Sequence, residues 1–207
     1  MLTVENLTRR FERRVILDRI SFTLTPGEVC AVIGANGSGK TTLLRCVVGA
    51  ERPDGGRVRL DGRPMDETDP EIRAAVACVL DDIDFFPDLS AGEHLDLLAY
   101  AHGGRQPGAV DEVIAELGLT EARDQLPSTL SSGQRRRLAL ASCFVRPHRL
   151  LVLDEPEQRL DVEGRDWLAR ALAREREAGT AVLFASHDAD LVAAVADSHL
   201  TLGQAEE

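Results

Sequence analysis

The octapeptide Gly34-Ala35-Asn36-Gly37-Ser38-Gly39-Lys40-Thr41 lies between an apolar run, Val29-Cys30-Ala31-Val32-Ile33, and a helix-compatible run, Thr42-Leu43-Leu44-Arg45-Cys46-Val47-Val48. This context narrows the possible folds sharply. A buried strand must feed a glycine loop, and the loop must open directly into a helix. Glycines carry no Cβ, so backbone N–H groups can turn toward a single point. The helix N-terminus adds partial positive charge at the same point. Such a cradle suits a row of phosphates. Read as a P-loop, Gly34, Asn36, Gly37, Ser38, Gly39, Lys40, Thr41 and Thr42 bind a nucleoside triphosphate. Lys40 is expected to reach the β- and γ-phosphates, and the Thr41 hydroxyl to ligate Mg²⁺.

The rest of the chain supplies the elements such a loop needs. Residues 1–25 alternate apolar and polar, as in Ile20-Ser21-Phe22-Thr23-Leu24, which predicts antiparallel strands with one wet face. Arg57-Val58-Arg59-Leu60 followed by Asp61-Gly62 predicts a hairpin. Continuous apolar runs at 74–80, 150–153 and 181–185 predict buried strands, and 199–202 a last edge strand. Helices are expected at 93–101, 108–117, 133–145, 162–178 and 191–196. The expected fold is α/β: a P-loop NTPase core with a mainly parallel sheet, an N-terminal antiparallel β subdomain and an inserted helical subdomain. The chain reads as one domain, with 1–81 and 146–207 as catalytic core and 82–145 as the helical part.

Composition narrows the function. With 35 acidic and 24 basic residues, the net charge of −11 repels phosphate backbones, so nucleic acid is not an expected partner. The basic run Arg135-Arg136-Arg137 is read as a solvated helix face. No apolar run reaches the roughly 18–20 residues of a membrane span. The N-terminus shows neither a basic nor an apolar leader region, so the expected location is the cytoplasm. The cysteines, Cys30, Cys46, Cys78 and Cys143, lack metal-ligand spacing and are expected to be free, buried thiols.

Leu150-Leu151-Val152-Leu153-Asp154-Glu155 is a strand ending in two carboxylates. Beside a P-loop, Asp154 fits a holder of Mg²⁺. Glu155, pointing the other way under strand alternation, fits a general base for the attacking water. Leu130-Ser131-Ser132-Gly133-Gln134 lies upstream, and Leu160-Asp161 and Ser186-His187-Asp188 lie downstream. In this order the motifs resemble the nucleotide-binding subunit of ATP-binding cassette (ABC) proteins, over nearly the whole chain. The resemblance implies ATP and Mg²⁺ as ligands and assigns further roles. Phe11 stacks on adenine. Ser131, Ser132, Gly133 and Gln134 form a signature loop that contacts the γ-phosphate bound on an opposite subunit. Asp161 links the two sites, and His187 is the switch histidine at the γ-phosphate. It also implies a homodimer built from P-loop and signature-loop half-sites, docked on a separate membrane-spanning subunit through the region 85–97, peripheral on the cytoplasmic face.

The chain departs from the family pattern at three places. Asp81 stands where the family has a glutamine that touches Mg²⁺, which implies retuned coupling with Asp81 as a possible metal ligand. Glu157-Gln158-Arg159 replaces small residues, which implies altered communication between the sites. Ser132 replaces a glycine, a mild change. The leading expectation is an ATPase that powers a transporter of exporter or ABC-2-like type. The alternatives are a soluble ABC ATPase acting on DNA or ribosomes, and a nucleotide-gated module with weak hydrolysis.

Overall fold

The computed structural model describes residues 1–12, 14–80, 83–103 and 108–203. Asp81, named above as a possible metal ligand, lies outside the described residues.

Two sheets carry the architecture. In the first, β1 (Leu2–Phe11) pairs antiparallel with β2 (Arg14–Leu24) on one side and β4 (Gly55–Leu60) on the other. The short β5 (Arg63–Pro64) completes the order β2-β1-β4-β5. The second sheet is parallel. It contains β3 (Val29–Ile33), β6 (Val76–Val79), β7 (Leu150–Asp154), β8 (Ala181–Ala185) and β9 (Ser198–Thr201), in the order β6-β7-β8-β3-β9. The helices are α1 (Lys40–Val48), α2 (Pro70–Ala75), α3 (Ala91–Ala101), α4 (Ala109–Glu116), α5 (Ser132–Phe144), α6 (Val162–Glu177) and α7 (Ala189–Val195).

The central strands β3, β7 and β8 are apolar at every position but the last of β7, Asp154, because each face of the parallel sheet is covered. Val29, Ala31, Leu151, Leu153, Val182 and Phe184 enter one core, which continues into α3–α6 through Leu95, Ile114, Leu138, Leu168 and Leu172. The alternate residues Cys30, Val32, Leu150, Val152 and Leu183 enter a second core with Leu43 and Val47 of α1 and Leu2, Val4 and Leu24 of the antiparallel sheet. Burying one leucine or phenylalanine side chain completely stabilises the fold by about 1.5–3 kcal/mol, so these two layers fix the strand register. The parallel arrangement brings the carboxyl ends of β3, β7 and β8, three neighbours in the sheet, to one edge. Open α/β sheets place their ligands at this edge.

Two expectations need correction. The run 74–80 is not one strand. Asp69 accepts a hydrogen bond from the Glu71 N–H at 2.8 Å and caps a helix with proline in its first turn. α2 therefore runs to Ala75 before β6 begins. Among the cysteines, Cys30, Cys46 and Cys143 are free and buried, whereas Cys78 is free and exposed. The edge strand near the C-terminus is present, as β9 beside β3.

Candidate active site

β3 ends at Ile33, and the glycine loop carries the chain into α1. Two glycines are required there by space and backbone angle. A Cβ on Gly34 would lie 2.6 Å from the Leu202 carbonyl oxygen. Gly39 has φ 97°, and a Cβ there would lie 2.8 Å from Ile16 Cγ2. Gly39 caps α1 without any side-chain acceptor, so the first-turn N–H groups remain for another acceptor. The Ser38 hydroxyl is buried and has no hydrogen-bond partner among the described residues. An anion with several acceptor oxygens satisfies both sets of donors.

Lys40 is only 6% exposed, yet its ammonium reaches the open end of the loop. Nζ donates to the Gly34 carbonyl at 3.0 Å and to the Ala35 carbonyl at 3.3 Å, and lies 2.9 Å from His187 Nε2. His187 Nε2 is also 3.1 Å from Glu155 Oε1. A neutral imidazole nitrogen can accept from Lys40 or donate to Glu155, but not both. The three side chains therefore form a switchable polar cluster at the sheet edge. An incoming phosphate competes for the Lys40 ammonium and releases this arrangement.

Asp154 ends β7 on the α1 side and Thr41 opens α1. The Thr41 hydroxyl donates to Asp154 Oδ2 at 2.5 Å. These two hard oxygens suit Mg²⁺, which is held by one or two protein oxygens together with substrate phosphates and water. Among the described residues no group of three or more His, Cys, Asp or Glu side chains is arranged to hold a metal ion. A cation at this point therefore needs phosphate oxygens and waters to complete its shell.

Strand alternation does not set the direction of Glu155. The strand stops at Asp154, and Glu155 takes a left-handed turn with φ 45°, a conformation that costs a side-chain-bearing residue about 1–2 kcal/mol. The turn aims its carboxylate at His187 and at the glycine loop. Glu155 lines a cleft of about 230 Å³ together with Phe11, Asn36, Gly37, Gly39, Lys40, Thr41 and Thr42. It also lines a second cleft of about 260 Å³ with Thr41, Asp154, Gln158 and Arg159. Phe11 is 46% exposed at the end of β1, with the Arg9 guanidinium 4.6 Å from its ring centre. Phe11 lines the cleft that the glycine loop borders.

Two of the residues unlike the family pattern, Glu157 and Gln158, are bonded into this site. Glu157 is 6% exposed, and its Oε1 accepts from the Ser186 hydroxyl at 2.6 Å and from the His187 N–H at 3.3 Å. It thereby ties the loop after β7 to the loop after β8. The Gln158 side-chain amide donates to Glu155 Oε2. The substitution of small residues thus supplies polar contacts to both Glu155 and the His187 loop. Nothing in the local residue pattern marks Ser186 or His187 as a partner of Glu157.

Ser131, Ser132, Gly133, Gln134 and Asp161 line neither cleft. Ser131 caps α5 by accepting from the Gln134 N–H at 3.2 Å, and the Gln134 side chain accepts from the Ser131 N–H at 2.9 Å. The side chains of Ser131 and Gln134 are thus engaged locally, while Ser131 and Ser132 stay exposed at the helix start. Asp161 caps α6 through the Gly164 N–H at 2.9 Å, and both its oxygens accept from Arg137 at 2.6 Å. The Gly164 N–H first, and Arg137 next, hold its carboxyl below the ordinary carboxylate value.

The expectation of a solvated arginine face fails at Arg136, whereas Arg135 is exposed. Arg136 is 9% exposed and donates to the carbonyls of Asp154 and Glu155. Arg137 is bonded to Asp161 as described, and Arg135 donates to the Leu130 carbonyl at 3.2 Å. A signal for Arg136 was present in the spacing. It shares a helical stripe with the buried Ala139, Leu140 and Cys143.

A wide groove of about 840 Å³ opens elsewhere, between α2–β6 and α3–α5, lined by Ile72, Cys78, Phe86, His94, Leu98 and Arg146 among others. His94 is buried there against Phe85 and Phe86, at ring-centre distances of 5.3 and 5.5 Å. Neither of its ring nitrogens has a hydrogen-bond partner among the described residues. Burial holds its pKa below the ordinary histidine value. No described helix is long and apolar enough to cross a membrane.

Comparison with known proteins agrees with this geometry. The family model described as ABC transporter matches residues 17–158. The SkfA peptide export ATP-binding protein SkfE of Bacillus subtilis (strain 168) is 32% identical over 203 residues, covering 95% of this chain and 83% of that protein. The spermidine/putrescine import ATP-binding protein PotA of Pseudomonas aeruginosa (strain UCBPP-PA14) is 32% identical and covers 91% of this chain. The chain spans only 53% of that relative's length. Among solved structures, the dimeric bacterial ABC transporter cassette MJ0796 superposes with a TM-score of 0.87 at 22% identity, covering 100% of this chain and 96% of that one. An ATP-binding subunit of an ABC transporter superposes with a TM-score of 0.89 at 24% identity, covering 98% of this chain and 85% of that one. At these identities the structural likeness establishes the fold.

Proposed function

Because the chain belongs to the ABC transporter family as one of its ATP-binding, ATP-hydrolysing subunits, we propose that it hydrolyses Mg²⁺–ATP at the edge formed by β3, β7 and β8, and that a separate membrane-spanning polypeptide uses the resulting opening and closing. The observation that carries this reading is the convergence of three strand ends. Thr41 meets Asp154 at 2.5 Å, and Lys40, His187 and Glu155 meet at 2.9 and 3.1 Å. The glycine loop and the first turn of α1 bind the triphosphate. Thr41 and Asp154 hold Mg²⁺, which when bound neutralises phosphate charge and orients the phosphate chain. Glu155 accepts a proton from the attacking water, and His187 holds the γ-phosphate end. Phe11 supplies a stacking face for the base.

On this reading the site is incomplete in one copy, because the exposed start of α5 lines neither cleft of its own chain. A second copy arranged head to tail places its Ser131–Gln134 segment over the bound γ-phosphate, so that two equivalent sites close together. ATP then favours the closed pair, and loss of the γ-phosphate favours the open one. The helical segment 82–145 is the arm that carries the signature loop. The apolar groove with exposed Phe86 and Leu97 nearby is where the membrane partner docks, on the cytoplasmic face of the membrane. Similarity to the export protein SkfE over most of both chains favours an exporter or ABC-2-like system. Purification of the full chain with its membrane partner tests this. The expected result is Mg²⁺-dependent ATP hydrolysis that requires Lys40 and Glu155. ATP turnover that survives Lys40→Ala would refute the assignment.

A further inference from the structure

The arginine run after the signature loop carries an inference beyond the assignment of the site. α5 begins at Ser132, the loop that serves the opposite subunit's nucleotide in the proposed dimer. Arg136 stands four residues further, about 6 Å along the helix axis at 1.5 Å per residue. Its stem lies on the buried stripe, and Nη2 donates to the Asp154 carbonyl at 2.7 Å and to the Glu155 carbonyl at 2.7 Å. One nitrogen with two hydrogens thus holds two consecutive carbonyls through charge-assisted bonds. Those carbonyls flank the point where β7 ends and Glu155 adopts its left-handed turn. The next residue, Arg137, grips the carboxylate of Asp161 at the far end of the same loop. The loop 154–161 is therefore fastened at both ends to the helix that presents the signature loop.

We propose that Arg136 is a positioning residue that couples the two ATP sites. It transmits the seating of α5 on the opposite subunit's nucleotide to the backbone that aims Glu155 at its own. A rigid helix carries the displacement, and the paired carbonyl bonds deliver it to the turn of Glu155, at the wall of the cleft that Arg136 lines with Thr41, Asp154 and Glu155. A lysine at this position keeps the charge and a shorter stem but lacks the planar fork, and a glutamine keeps one donor group without the charge. This inference rests on the reading of the chain as an ATPase whose sites close between two copies.

The test is steady-state ATP hydrolysis by the full chain, alone and with its membrane partner, comparing wild type with Arg136→Gln and Arg136→Lys. Rates are corrected for the folded fraction, and nucleotide affinity is measured separately by calorimetry with Mg²⁺–ATP. For Arg136→Gln the expected result is a kcat about tenfold or more below wild type, with KM and the ATP dissociation constant within about twofold. The Hill coefficient for ATP is expected to fall toward one, because the sites no longer inform each other. Arg136→Lys is expected to recover part of both kcat and cooperativity. A residue that only staples the fold lowers the melting temperature and leaves the Hill coefficient of the folded fraction unchanged, so that outcome overturns the proposal. A kcat within about twofold of wild type also overturns it. If Arg136→Gln does not fold, Arg136→Lys decides: unchanged kcat and cooperativity overturn the proposal, and a selective loss of both supports it. Absence of Mg²⁺–ATP hydrolysis by the wild type in both settings overturns the underlying ATPase reading and this inference with it, whereas an active wild type matched by its Arg136 variants overturns only this inference.

Discussion

The contact between Glu157 and Ser186 offers a quantitative test of how the site is held together. Glu157 Oε1 accepts from the Ser186 hydroxyl at 2.6 Å, with Glu157 6% and Ser186 2% exposed. A buried hydrogen bond to a charged group contributes about 1.5–3 kcal/mol. Glu157→Ala loses that bond, but it also removes a carboxylate whose Oε2 has no hydrogen-bond partner among the described residues, an arrangement that itself costs free energy. The net destabilisation is therefore expected near the low end, about 1–2 kcal/mol. Ser186→Ala keeps the buried carboxylate and takes away its main donor, so its cost is expected to be larger, about 2–3 kcal/mol or more. In a chain of this length each kcal/mol lowers the melting temperature by about 2–4 °C. The double variant should cost less than the sum of the two, leaving a coupling energy of about 1.5–3 kcal/mol in a double-mutant cycle. Urea unfolding at pH 7 without nucleotide measures all four corners. A coupling below about 0.5 kcal/mol, or a Ser186→Ala protein as stable as wild type, would show that this tether does not join the loops of Glu155 and His187.

Further outcomes follow from the same contacts. Glu155→Gln removes the proposed proton acceptor while keeping its shape, and turnover is expected to fall by about 10²–10⁴ with ATP binding retained; a single-turnover rate equal to wild type would exclude Glu155 as the base. Gly34→Ala places a Cβ 2.6 Å from the Leu202 carbonyl oxygen, and calorimetry is expected to find ATP affinity reduced by tenfold or about that; an unchanged affinity would mean that the loop relaxes freely. His94, its pKa lowered by burial from the ordinary 6.5, resists protonation in the fold while the unfolded chain takes a proton below that pH. Its contribution to stability is complete above pH 6.5 and is lost as pH falls through the lowered value. His94→Leu should flatten the stability–pH curve in that window, and an identical slope in both proteins contradicts this.

Much of the site was legible in the residues because each part is announced by a change of local pattern. The glycine loop interrupts an apolar strand, the carboxylates end one, and His187 follows another. Burial on both sheet faces makes those strands continuous apolar runs, and the parallel sheet brings their ends together. What was not legible depends in part on long-range contacts and in part on local signals that a stronger pattern masked. The arginine run looked like a wet helix face because charge outweighed the spacing that put Arg136 on the stripe of Ala139, Leu140 and Cys143. The run 74–80 looked like one strand because alanine and valine suit either structure, although Asp69-Pro70-Glu71 carried the start signal of α2. Alternation aimed Glu155 away from Asp154, but the left-handed turn that actually directs it belongs to the loop. The partners of Glu157 (Ser186 and His187) come from a distant loop and leave no mark in local spacing, whereas Gln158 bonds Glu155 three residues away within its own loop.

The central claim, that ATP is enclosed between the glycine loop of one copy and the signature loop of another, is tested most directly by molar mass. Light scattering on the Glu155→Gln chain, 22.5 kDa in wild-type form, should give a monomer without nucleotide and about twice that mass with Mg²⁺–ATP. Adding Ser132→Glu, an exposed change at the start of α5 that puts a negative charge against the incoming phosphates, should abolish the doubling while leaving ATP binding to each monomer intact. A mass that stays at the monomer value with ATP bound, or a doubling that survives Ser132→Glu, would contradict the account.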